Sequence, residues 1–226
     1  MAMSGSQEAN EYSSHYSYAL RYQWLTRFYD PLVRWTCRET TFKNTLIAQA
    51  RVQPGMRVLD VGCGTGTLAV MVKKAHPAVD VTALDGSAEI LDLARTKAHS
   101  AGADISFAHG FSYDMPLGVS EFDMVFTSFF FHHLKRQAKL RTLQEIHRVL
   151  KPSGTLHIAD WGRQPNLFLR GAFLVVQLLD GFETTTDNIR GLLPDFMRQA
   201  GFVHVDETSH VYTALGSVSL YHAAKG

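Results

Sequence analysis

The stretch Arg57-Val58-Leu59-Asp60-Val61-Gly62-Cys63-Gly64-Thr65-Gly66 constrains what this chain can fold into more than any other. Valine and leucine in this run suit a strand buried on both faces, as in a parallel sheet. The three glycines predict a sharp turn and then a helix, because glycine turns tightly and lets the backbone approach a ligand where a Cβ would collide. Strand, turn and helix together make a nucleotide cradle. The spacing is G-x-G-x-G, not the G-x-G-x-x-G of dinucleotide sites, and Asp60 stands just before the first glycine. Its carboxylate would repel a pyrophosphate on the helix N-terminus but attract an adenosine carrying an ammonium or sulfonium group.

The remaining sequence alternates strands and helices. Residues 65–75 predict a helix with Leu68, Val72 and Ala75 on one face, closed by His76-Pro77. Residues 79–85 predict a second parallel strand ending in Asp85, the place of an acid that grips ribose hydroxyls. Gly86 then allows close approach, and Ser87 caps a helix whose Ile90, Leu91 and Ala94 face the sheet. A third strand spans 104–110, and the loop after it begins at Phe111, which could stack on an adenine, with Asp114 read as a surface acid. A fourth strand over 122–128 ends at Ser128, below Phe129, Phe130, Phe131, His132 and His133. The helix 135–150 places Leu140, Leu143, Ile146 and Leu150 on one face and its basic residues on an opposite, solvated face. Residues 155–160 form a fifth strand ending at Asp160, read as a cap for the segment that follows or as a group orienting an acceptor. Pro194 and Gly201 bracket a last helix, and two strands at 202–208 and 215–225 close the sheet.

The run Asp60-Val61-Gly62-Cys63-Gly64-Thr65-Gly66 resembles motif I of the class I S-adenosylmethionine-dependent methyltransferases. With Asp85, FDMVFTS at 122–128 and LKPSGTLHIAD at 150–160 in that order, the resemblance extends over roughly residues 20–225. It implies a Rossmann-like seven-stranded α/β sheet, mostly parallel with the last strand antiparallel, with helices on both faces and an N-terminal helical lid. It also implies S-adenosyl-L-methionine as cofactor, held by Asp60, Gly62, Cys63, Gly64, Gly66, Asp85, Gly86, Ser87, Phe111, Ser128 and Phe129. Candidate catalytic residues are Tyr29, His133 and Asp160. Tyr29-Asp30 resembles the Tyr-Asp of quinone-biosynthesis methyltransferases, although the Ser-x-Gly-x-His run and Trp-Arg pair that follow it in that family are absent here.

These readings divide the chain into a polar tail at 1–10 and one domain at 11–226. Within it, 11–50 forms an aromatic helical lid, 51–161 the cofactor core, 162–187 an apolar acceptor-site insertion and 188–226 the last helix and strands. One helix is expected to end near Tyr29 and another to run from Pro31 to about Ala50. The formal net charge of +1 and the scattered Lys and Arg residues give no broad field for nucleic acid. Cys37 and Cys63 are read as reduced thiols. LFLRGAFLVVQLL at 167–179 is too short to span a bilayer, and without a signal-peptide pattern a cytoplasmic location is expected. No metal is expected, because no carboxylate or cysteine is spaced near His132-His133, so a chelator should have no effect.

The aromatic lid and apolar insertion point to a small or lipid-like apolar acceptor. Two other readings stand beside methyl transfer: a cofactor-binding module with a plugged acceptor pocket, and a nicotinamide-dependent dehydrogenase, which would want the third glycine one residue later.

Overall fold

The computed structural model describes residues 38–226. Contacts divide the chain at Glu39/Thr40, so nearly all described residues belong to the unit Thr40–Gly226. The aromatic segment before Arg38, with Tyr29, Asp30 and Cys37, lies outside the described residues, as does the 1–10 tail.

Five strands run parallel: β1 (Arg57–Val61), β2 (Asp80–Asp85), β3 (Ser106–His109), β4 (Phe122–Ser128) and β5 (Leu150–Trp161). Two more, β6 (Phe202–Tyr212) and β7 (Ser217–Lys225), complete a seven-stranded sheet in the order β3-β2-β1-β4-β5-β7-β6. β7 is antiparallel to both its neighbours, so β6 runs with the first five strands. The order reverses between β1 and β4. Ligands of open α/β sheets bind at such a reversal, outside the carboxyl ends of the strands.

The sequence accounts for most of these elements. In β1, Val58, Leu59, Asp60 and Val61 are all buried, as expected of a strand covered on both faces. The helix α1 (Glu39–Gln49) precedes it, and α2 (Thr67–Ala75) and α3 (Ala88–Ser100) connect β1, β2 and β3. Strands β4 and β5 extend the sheet the opposite way. Right-handed crossovers therefore put the connecting helix α4 (Arg136–Val149) on the other face. Ser87 caps α3 by accepting from the Ile90 N–H at 3.3 Å. Leu91 and Ala94 of α3 and Leu68 and Val72 of α2 are buried, whereas Ile90 is half-buried and Ala75 is exposed.

Three expectations are corrected. β5 is twelve residues long, not six: it starts directly at the end of α4 and shifts register against β4 between Phe122 and Met124. The basic face of α4 is not simply solvated, since Lys139 is fully buried, donates to the Thr184 carbonyl at 2.6 Å and lies 3.8 Å from Asp187. The insertion at 162–187 is two helices, α5 (Leu167–Asp180) and α6 (Phe182–Ile189), followed by α7 (Leu193–Gln199). Helix α5 buries Phe173, Val176 and Gln177 and leaves much of its apolar surface outside. Gln177 is buried, accepts from Arg170 at 2.7 Å and donates to Thr185 at 3.2 Å, while Leu167, Phe168, Leu178 and Leu179 are 89, 81, 74 and 76 % exposed. Of the insertion's expected covering aromatics, Phe173 is buried, but Phe168 and Phe182 face outward. Among the described residues, no helix is long and apolar enough to cross a membrane.

Candidate active site

The three glycines after β1 all have positive φ, at 66° for Gly62, 52° for Gly64 and 75° for Gly66, but their lack of a side chain serves different ends. A Cβ on Gly62 would stand 2.1 Å from the Phe130 ring, so this glycine seats an aromatic from the β4 loop. A Cβ on Gly66 would meet that of Ala94 at 3.1 Å, so this one lets α2 and α3 pack closely. Only at Gly64 does the position open on space with no protein atom within 4 Å. The reading of three glycines aimed at one ligand narrows to one, with two serving packing.

Asp85 is anchored by this turn. Its Oδ2 accepts from the Gly64 N–H at 2.9 Å and its Oδ1 from the Ser87 N–H at 3.0 Å. Each carboxylate oxygen keeps a lone pair, which is what two ribose hydroxyls require. The Cys63 thiol is buried, and that burial pushes its pKa far up, so it is no nucleophile.

Asp60 is buried too, and its oxygens differ. The Oδ2 accepts from Ala69 N–H at 3.1 Å, in the first turn of α2, whose N-cap Gly66 has no side chain to do this. The Oδ1 has no partner. Burial pushes the Asp60 pKa up to about 7, opposed by the positive charge of buried Lys43 on α1 and by the bond from Ala69. An orphaned, desolvated carboxylate oxygen at the end of β1, where the glycine turn begins, suits a ligand with a cationic centre and disfavours a pyrophosphate.

Phe111, the expected adenine partner, stacks on Tyr113 with centroids 5.3 Å apart and planes at 8°. Asp114 is exposed, as a surface acid should be.

At the carboxyl ends of β4 and β5 the side chains form an aromatic wall. Ser128 and Phe129 are half-buried, and Phe129 has a φ of 51°, which a bulky residue holds only when its surroundings force it. Its ring lies 4.7 Å from Phe42 and 4.8 Å from Trp161, and Trp161 in turn meets Phe173 edge-on at 5.2 Å.

Asp160 does not cap the segment that follows it. Fully buried, it reaches across to the turn after β4, where Oδ2 accepts from Phe130 N–H at 3.0 Å and Phe131 N–H at 2.7 Å. Its Oδ1 accepts from His132 Nδ1 at 2.7 Å, Trp161 N–H at 2.8 Å and Asn188 Nδ2 at 3.2 Å. These donors, with the attraction of the His132 ring, hold its pKa below the usual carboxylate range despite burial. Asp160 is thus a positioning residue for His132 and the turn Phe131–His133.

His132, passed over in favour of its neighbour, is buried between two carboxylates. Its Nε2 lies 3.7 Å from Asp180 Oδ2 at the end of α5, and Asp160 and Asp180 outweigh burial to raise its pKa. The signal in the sequence was the double histidine; Asp180 was invisible because it arrives from a different helix. The expectation that no carboxylate stands near the pair is overturned in space. His133 has its ring exposed, 3.9 Å from that of His132, and crowding by protein plus the His132 charge lower its pKa. Of the expected catalytic trio, the structure brings His133 and Asp160 together around His132; Tyr29 lies outside the described residues.

Comparison with known proteins agrees with this architecture. Residues 58–154 match a family described as a methyltransferase domain. An uncharacterized methyltransferase of Synechocystis is 30 % identical over 185 residues, covering 82 % of this chain and 83 % of that protein. A demethylmenaquinone methyltransferase of Listeria monocytogenes is 29 % identical over 180 residues, covering 71 % and 75 %. Among solved structures, a SAM-dependent methyltransferase of Methanosarcina mazei superposes with a TM-score of 0.64 at 21 % identity, over 79 % of this chain and 96 % of that one. At that identity the likeness speaks to the fold.

Proposed function

The chain belongs to the class I S-adenosylmethionine-dependent methyltransferases, and from that premise we propose that it transfers the methyl to a small apolar or lipid-like acceptor at the carboxyl edge of β4 and β5. Bound S-adenosyl-L-methionine supplies a methyl already activated on a sulfonium. Asp60 would answer the cationic part of the cofactor and Asp85 the ribose, with Gly64, Cys63, Gly86 and Ser87 letting the backbone come close and Gly62 and Gly66 shaping the turn. Phe111, stacked on Tyr113 in this structure, would pack on the adenine, and Ser128 and Phe129 would flank the methyl.

The acceptor reading rests on one observation: half-buried Phe129 at the end of β4 leads into a buried aromatic cluster of Phe42, Trp161 and Phe173, so the lining that an opening of this edge would offer is apolar. The work left to the chain is to orient the acceptor in line with the methyl and to exclude water, and such positioning supplies roughly 7–11 kcal/mol of barrier reduction. The Listeria relative is named for demethylmenaquinone; an apolar acceptor of that kind suits the wall.

Calorimetry with S-adenosylhomocysteine and with NAD tests the cofactor half. The former binds, the latter does not, and Asp85→Ala weakens binding by about 1.5–3 kcal/mol, the scale of a hydrogen bond to a charged group. A product-detection screen across thiols, phenols, amines and lipids tests the acceptor half. Turnover with apolar phenols or quinols supports the reading; turnover only with charged, hydrophilic acceptors overturns it. Cofactor binding without transfer to any of them would make the protein a binding module.

A further inference from the structure

Next to Phe129 and Trp161, three side chains of ligand type, His132, His133 and Asp180, converge without a part in methyl transfer. His132 donates its Nδ1–H to Asp160 and turns its Nε2 to the Asp180 carboxylate, where an incoming metal ion would take the place of the Nε2 proton. The distance between these two atoms, 3.7 Å, is too long for a hydrogen bond. A ring nitrogen and a carboxylate oxygen held face to face at that spacing can share a cation once that proton is displaced. A ring nitrogen of His133 completes the group, and the three ligand atoms all lie within 4.8 Å of one another. A tetrahedral ion with bonds of about 2.0–2.2 Å wants its donors about 3.4 Å apart, so small side-chain rotations close the site.

We propose that His132, His133 and Asp180 bind one divalent ion of the zinc class, with Asp160 as the outer carboxylate that orients His132. Two imidazoles and one carboxylate suit such an ion better than calcium or magnesium, which take mainly oxygen ligands. An outer carboxylate on the far nitrogen of a ligating histidine is the usual support of such sites. Charge agrees: Asp160 and Asp180 carry two negative charges, while buried Lys139, the nearby cation, is engaged by the Thr184 carbonyl and Asp187. The exposed side of His133 gives the ion its way in and leaves its fourth position open to water or to an oxygen of the acceptor. The ion site stands on this geometry alone and survives even if the acceptor assignment fails.

The test uses the full chain, free of any affinity tag, stripped with chelator and desalted. Co²⁺ is titrated while visible d–d absorption is recorded, and Zn²⁺ is titrated by calorimetry. The expected result is one equivalent of each, with Zn²⁺ bleaching the cobalt bands. His133→Ala and Asp180→Asn each weaken binding by at least about 100-fold, more than the loss of an outer partner causes. His99→Ala, on an exposed face of α3, changes nothing. S-adenosylhomocysteine affinity, measured on every variant, reports that the fold is kept. No binding, or binding equally strong in His133→Ala and Asp180→Asn, overturns the proposal; the latter result would place the ion on other histidines.

Discussion

At the scale of single residues, Asp60 shows a trade between stability and binding. Its pKa is raised to about 7, so the folded, cofactor-free chain holds this proton more tightly than the unfolded chain does. That contribution is fully present below about pH 4 and is lost as pH rises through about 7. Asp60→Asn keeps an oxygen for the Ala69 N–H but removes the buried charge. The cofactor-free variant should therefore melt higher than the parent at pH 8, with the gap shrinking toward pH 5, while its affinity for S-adenosylmethionine falls. A lower melting temperature at pH 8 would contradict the buried-charge account. Asp60 and Asp85 were legible because a carboxylate beside a glycine turn, and another at the end of the next strand, are fixed by local chain geometry. His132 and the true partner of Asp160 were not, because the contact joins the turn after β4 to the end of β5 and exists only after the two strands align. The same holds for Gly62, whose small size answers to a Phe130 ring that comes from a distant loop.

At the scale of elements, the segment after β5 is held by polar contacts beneath it as well as by buried Phe173 and Val176. Lys139 and Arg136 of α4 reach up to α6, the first to the Thr184 carbonyl and both to Asp187. Burial lowers the Lys139 pKa to about 8, with Asp187 and Asp160 working against the shift. Replacing Lys139 by Met keeps the apolar stem and leaves the Thr184 carbonyl without its donor, which costs about 1–3 kcal/mol. Chemical unfolding measures the loss, and limited proteolysis should localise it to residues 162–190. A variant as stable as the parent and no more easily cut would show that the ammonium does not pin α6. The sequence marked 162–187 as apolar and extra but not its orientation. Periodicity finds an apolar stripe on α5 without saying how much of it is covered, and here Phe173 and Val176 are buried beside Gln177 while Leu167, Phe168, Leu178 and Leu179 stay outside. The basic face of α4 was misread for the same reason: a lysine at helical spacing looks solvated until another helix covers it.

At the scale of the whole molecule, the alternation of strands and helices with right-handed crossovers accounts for a sheet with helices on both faces, and its seven strands with the last antiparallel are what the family resemblance implies. What the sequence did not carry is the pairing of β5 with β7, which sets His157 opposite His222 and buries the former. Burial, with the His222 charge adding to it, lowers the His157 pKa to about 3, and its Nδ1 has no partner. The unfolded chain, with an ordinary histidine, therefore binds a proton between about pH 3 and pH 6.5 that the folded chain refuses. Stability from this residue is complete above about pH 6.5 and falls as the medium is acidified, by at most about 1.4 kcal/mol per pH unit. His222 and His147 are shifted in the same direction and add to the acid sensitivity. Replacing His157 by Phe removes both the titrating group and the unpartnered nitrogen from a site already in contact with the Phe126 ring at 5.4 Å. Urea unfolding between pH 4 and 6.5 should then show a slope shallower by about one proton, with stability at pH 7.5 equal to or above the parent's. An unchanged slope would mean that His157 titrates normally in the fold, and that the β5–β7 pair opens to water at this point of the sheet.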